Sequence, residues 1–115
     1  MNKQAMMQAV KDAFNVDALK KIDGIEPLEL YVKTLSVKGF NDRLKELQAI
    51  DDKYKDDDLN AIRGTIVSVF DKDGNHPFDA DNLDDVNFMA NLPIGIYTAI
   101  VNASNGANSW GLMKA

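Results

Sequence analysis

The chain contains no cysteine, a single histidine, a single tryptophan and three prolines. Without cysteine there is no disulfide, no thiolate metal site and no cysteine nucleophile, a usage that fits a reducing cytoplasm. No apolar run approaches the roughly 20 residues needed to span a bilayer. Positive charge is also scarce: 13 Lys and Arg stand against 18 Asp and Glu, for a net charge of −5. The basic positions are scattered, so the clustered charge that neutralises phosphates or docks on an anionic bilayer is missing. Neither nucleic acid nor membrane is expected as a partner. The first fourteen residues are broken by Lys3, Lys11 and Asp12 and do not read as a secretory signal.

Candidates for chemistry are equally few. The glycines occur singly, with no G-x-G-x-x-G and no phosphate-cradling loop. His76 has Asp79 near it in sequence, but no serine in a nucleophile elbow accompanies them, and one histidine without cysteine is a poor metal set. Asp71, Asp73 and Asn75 match the first three ligand positions of an EF-hand. The sixth position of that loop needs glycine and the twelfth a bidentate glutamate, and these are His76 and Asn82. Gly74 comes two places early and suits a tight turn with positive φ instead. No catalytic, cofactor-binding or metal-ligating residue is assigned, and the chain is expected not to be an enzyme.

At 115 residues, with 45% hydrophobic and 27% charged side chains, the composition is that of one ordinary globular domain. Met6, Val10 and Phe14, with Ala5, Ala9 and Ala13, give helical spacing over about residues 2–14. Leu19 and Ile22 form either a last helical turn or a short strand before the turn signal Asp23-Gly24. Leu28, Leu30 and Val32 alternate with Glu29, Tyr31 and Lys33, the pattern of a strand. The stretch from Leu19 to Ile25 is its nearest pairing partner.

Ser36 reads as an N-cap, ahead of a stripe at Val37, Phe40, Leu44, Leu47 and Ile50 that predicts a helix packed on the core. Asp51 to Asp58 reads as a solvated loop. Asp58 is placed to cap a helix carrying Leu59, Ile62, Ile66, Val69 and Phe70. Asp81 or Asn82 would cap another, with Leu83, Val86 and Met89. Pro93 opens a last one, with Ile94, Tyr97, Ile100 and Val101 on its apolar face. The expected fold is α+β and mostly α-helical, a small β-hairpin near residues 19–35 packed with four to five helices. Residues 1–101 form one globular domain, with the N-terminal helix either packed on it or standing off as an arm. From Asn102 the composition turns to Asn, Ser, Gly and Ala, which predicts a flexible polar tail over 102–115. Within it Trp110, Leu112 and Met113 either fold back onto the core or anchor a partner.

One ordered set of motifs runs through residues 25–101. A strand, Leu30-Tyr31-Val32-Lys33-Thr34-Leu35-Ser36, leads into an amphipathic helix. Later Ser68-Val69-Phe70-Asp71-Lys72-Asp73-Gly74-Asn75-His76-Pro77-Phe78 precedes an acidic helix start at Asp79 to Asp84, and a last helix opens at Leu92-Pro93. This order resembles the tail assembly chaperones of long-tailed bacteriophages and prophages. The resemblance implies a protein that binds the tape measure protein and helps recruit tail tube subunits during tail morphogenesis. It also implies action in the host bacterial cytoplasm, absence from the mature virion, and self-association into a homo-oligomer. The alternative function is a structural neck or tail-completion protein retained in the virion. A calcium-responsive module at Asp71, Asp73 and Asn75 is a third. The partner-binding surface is expected at Met6, Val10 and Phe14 of the N-terminal helix, together with Trp110, Leu112 and Met113. A holdase of this kind needs an apolar groove or helix face for amphipathic client helices and like charge elsewhere to stay in solution.

Overall fold

A two-stranded antiparallel hairpin organises the molecule. The structure, a computed structural model, describes residues 2–14 and 16–107. Its elements run α1 (Lys3–Ala13), β1 (Leu19–Lys21), β2 (Tyr31–Lys33), α2 (Val37–Tyr54), α3 (Asn60–Ile66), α4 (Leu83–Ala90) and α5 (Ile94–Ala107). Leu19 pairs with Lys33, Lys20 with Val32 and Lys21 with Tyr31. The expected α+β, mostly helical architecture is therefore present, and Leu19 belongs to a strand. Residues 22–30 connect the strands. Gly24 takes φ +81°, Glu26–Pro27 is cis, and the Leu28 amide donates to the Ile25 carbonyl at 2.9 Å.

Alternation on β2 does what the period of two predicts. Leu30 and Val32 are buried and, with Ile22 and Ile25, close one side of the core. The other side comes from Ile66, Val69, Val86, Met89 and Ile100, each with essentially no exposed surface. The core thus joins the hairpin to α3, α4, α5 and the segment after α3. At about 25 cal/mol per Å² of apolar surface removed from water, this cluster is the main source of stability.

Several sequence-based expectations need correction. The third helix stops at Ile66, and Phe70 instead bridges β2: its amide donates to the Tyr31 carbonyl at 2.9 Å and its carbonyl accepts from the Tyr31 amide at 2.8 Å. Val69 and Phe70 favour extended backbone, and the free edge of β2 offers hydrogen bonds that another helical turn would forgo. Asp58 is not the cap of α3; Asp57 accepts from the Leu59 amide at 2.8 Å. Asp51 and Asp52 lie in α2, which continues to Tyr54, so the acidic loop is shorter than expected. Helix α5 likewise passes the composition change at Asn102 and runs to Ala107. Val101, Ala103 and Ser104 there are half-buried, so packing holds the helix where composition favours its end. Leu83 and Ile94, read as core-facing, are exposed at the first residues of their helices.

The caps were the most local feature and hold well. Ser36 Oγ accepts from the Gly39 amide at 3.0 Å, and Asn82 Oδ1 from the Asp85 amide at 3.2 Å. Among the described residues no helix is long and apolar enough to cross a membrane.

Candidate protein-binding surface

Two apolar faces remain outside the core. The first is α1. Asn2 caps it, accepting from the Ala5 amide at 2.8 Å, and none of its residues is buried. Met6, Val10 and Phe14 follow one another at i, i+4 and i+8, on one side of the helix. They are 49%, 52% and 64% exposed, with Met7 beside them at 53%. The structure thus brings three of the expected partner-binding residues into one solvent-facing stripe. Trp110, Leu112 and Met113 lie outside the described residues.

The second face is on α2, which the sequence predicted to pack on the core. Val37, Phe40, Leu44, Leu47 and Ile50 share a stripe, yet α2 has no buried residue. Val37 is 75% exposed and Leu44 48%, while Phe40, Leu47 and Ile50 are half-buried. Helix α2 leans on the body with the flank of its stripe and leaves the rest uncovered. Gly64 of α3 permits this approach, since a Cβ there would stand 3.2 Å from Leu47 Cδ2. Beside the contact opens a groove of about 680 Å³. Leu44, Leu47, Ile50, Ala61 and Val101 supply its apolar wall, and Ser68, Ser104 and Asn105 a polar one. Asp51 stands at its acidic end, near the C-terminus of α2 where the helix dipole is also negative.

Polar contacts at the ends of α2 fix its position. At its C-terminus the buried Arg63 guanidinium lies 3.8 Å from the centre of the Tyr54 ring, donates to the Ala80 carbonyl and pairs with Asp57 at 3.2 Å. Asp81 accepts from the Tyr54 hydroxyl and from Lys53 Nζ at 3.0 Å. The Tyr54 hydrogen bond first, and then Lys53, hold the Asp81 carboxyl below its ordinary range, while Asp81 raises Lys53. Near the other end Arg43 stands 5.5 Å from the Phe70 ring, and burial lowers its pKa. Sequence reasoning missed Arg63, because one cation on an apolar helix reads as its solvent side.

The loop that mimics an EF-hand is a hydrogen-bonded turn. Asp71 Oδ1 accepts from the amides of Asp73 and Asn75 at 2.9 and 3.0 Å, and Gly74 has φ +83°. The His76 ring stacks on Phe70 with centroids 4.8 Å apart, and its Nδ1 lies 3.0 Å from the Val69 carbonyl. Both residues serve to anchor the turn against the bridge at Phe70. No group of three or more acidic or histidine side chains that could hold a metal ion occurs among the described residues.

Comparison of the chain with protein-family models, with curated proteins and with solved structures finds no match.

Proposed function

We propose that the chain binds other proteins rather than catalysing a reaction, and that it is a phage tail assembly chaperone. Its client is the tape measure protein, to which it helps recruit tail tube subunits. It acts in the host bacterial cytoplasm and leaves the finished virion. One observation carries the reading: part of the apolar stripe of α2, Leu44 above all, is left exposed beside a groove walled by Leu44, Leu47, Ile50, Ala61 and Val101. An amphipathic client helix fits such a groove by its i, i+3, i+4 anchors. The net charge of −5 keeps the loaded complex in solution. The ordered motifs from Leu30 to Pro93 point to the same family. Met6, Val10 and Phe14 on α1, with Trp110, Leu112 and Met113, complete the proposed partner-binding set.

Co-expression with the tape measure protein of the same phage or prophage tests the reading. The client should move from the insoluble to the soluble fraction and co-purify with this chain. A client that stays insoluble, or dissolves without binding, sinks the proposal. Mass spectrometry of purified virions separates a chaperone, which is missing, from a neck or tail-completion protein, which is retained.

A further inference from the structure

Helix α1 and the stripe of α2 match each other. Along α1 the apolar residues Met7, Val10 and Phe14 advance by three and four. Along α2, read backwards, Leu47, Leu44 and Phe40 advance by three and four as well. If the two helices lie antiparallel with Met7 against Leu47, then Val10 meets Leu44 and Phe14 meets Phe40. The same register places Lys3 opposite Asp51, the carboxylate at the acidic end of the groove. Antiparallel packing also sets the positive end of the α1 dipole beside the negative end of α2. Charge complements at one point: among the described residues Asp51 is the one charged residue that lines the groove, and the register sets the Lys3 ammonium of α1 against it.

Both faces keep apolar surface exposed in the single chain: α1 has no buried residue, Leu44 is half in solvent, and Phe40 and Leu47 are only half-buried. At 1.5 Å per residue α1 is about 16 Å long, enough to cover the stripe from Asp51 to Phe40. We infer that α1 of one copy packs antiparallel on the α2 stripe of a second copy, in the register Lys3–Asp51, Met7–Leu47, Val10–Leu44 and Phe14–Phe40. When each copy lends its α1 to the other, the exchange is isologous and closes into a two-fold dimer. On the chaperone reading, α1 and a client helix then compete for one groove. The contact itself does not rest on that reading.

The absence of cysteine makes the register directly testable. Val10→Cys and Leu44→Cys are made in separate full-length chains, mixed and oxidised with no client present. A disulfide needs Cβ atoms about 3.5–4.5 Å apart, so only a seated α1 brings the two sulfurs together. A disulfide-linked heterodimer should form in this mixture and not when Val10→Cys is mixed with Thr98→Cys, at an exposed site on α5. Leu44→Asp, placed on an exposed position, should lower the mass in solution from at least twice 12.7 kDa to that of one chain, with helix content unchanged. Lys3→Glu should weaken association, and Asp51→Lys in the same chain should restore it. A mixture that links no better than the Thr98→Cys control overturns the inference. So does a Val10→Cys, Leu44→Cys double variant that closes only within its own chain. Client solubility is read separately, so either proposal can fail while the other stands.

Discussion

Helices α4 and α1 carry the same kind of apolar pattern and meet opposite fates. In α4, Val86 and Met89 are three residues apart and wholly buried between the hairpin side of the core and α3. In α1, Met6, Val10 and Phe14 are about half exposed or more, and no residue of the helix is buried. Helix α2 falls between, with one flank on α3 and the rest of its stripe bare. Periodicity tells which side chains share a face; it does not tell whether another element covers that face. In this chain the covered faces build the core, while α1 and part of the α2 stripe stay exposed.

The largest effects should come from the covered side. Ile100→Ala or Met89→Ala should each cost about 2–5 kcal/mol in urea unfolding, through lost burial and the cavity left behind. A smaller cost would mean that the body is not the stable unit. Arg63→Leu should cost about 1–3 kcal/mol, since the buried Ala80 carbonyl loses its donor and Tyr54 its cation. Because Arg63 holds the end of α2, this variant should also loosen the stripe, seen as faster amide exchange in α2 than in α4. Gly74→Ala should cost about 1–2 kcal/mol from its positive φ. It touches the turn but neither bare face, so client binding should survive it.

The smallest expected effect is on pH dependence. Asp81 has a lowered pKa in the folded chain, so its contribution to stability is present above the ordinary carboxylate value near 3.8. That contribution fades as pH falls through the lower folded value. Asp81→Asn should therefore flatten the acid limb of the urea midpoint against pH. The effect is slight, because Asp81 and Lys53 are both exposed and water screens them. An acid limb that does not change would show that this pair adds nothing to the hold on α2.

Much of the body was legible in the sequence. The alternation at Leu28, Leu30 and Val32 gave the strand and its buried face, and Ser36 and Asn82 announced their helices through side-chain oxygens that satisfy free amides. Phe70 misled because Ile66, Val69 and Phe70 keep helical spacing; only the unpaired edge of β2, a tertiary feature, pulls them into extended form. The end of α2 misled for a similar reason, since Asp51 and Asp52 look like loop but belong to a helix that Tyr54 and Arg63 hold in place, with Asp51 accepting from Asn60 of α3 at 3.0 Å. Of the residues proposed for binding, Met6, Val10 and Phe14 are exposed, as a helix standing off the body would leave them. The exposure of Val37 and Leu44 on the α2 stripe was hidden, because its spacing is identical to that of a core helix.

The separation of stability from binding is tested most directly at Leu44. Leu44→Asp and the unchanged chain are each co-expressed with the tape measure protein, and the soluble fraction of the client is measured beside each chain's own urea midpoint. The account predicts a midpoint within about 0.5 kcal/mol of the original, as for an exposed site, when both chains are compared as monomers. The same substitution should leave most of the client insoluble. A variant that keeps the client in solution as well as the unchanged chain does, or that unfolds like a core mutant, would contradict it.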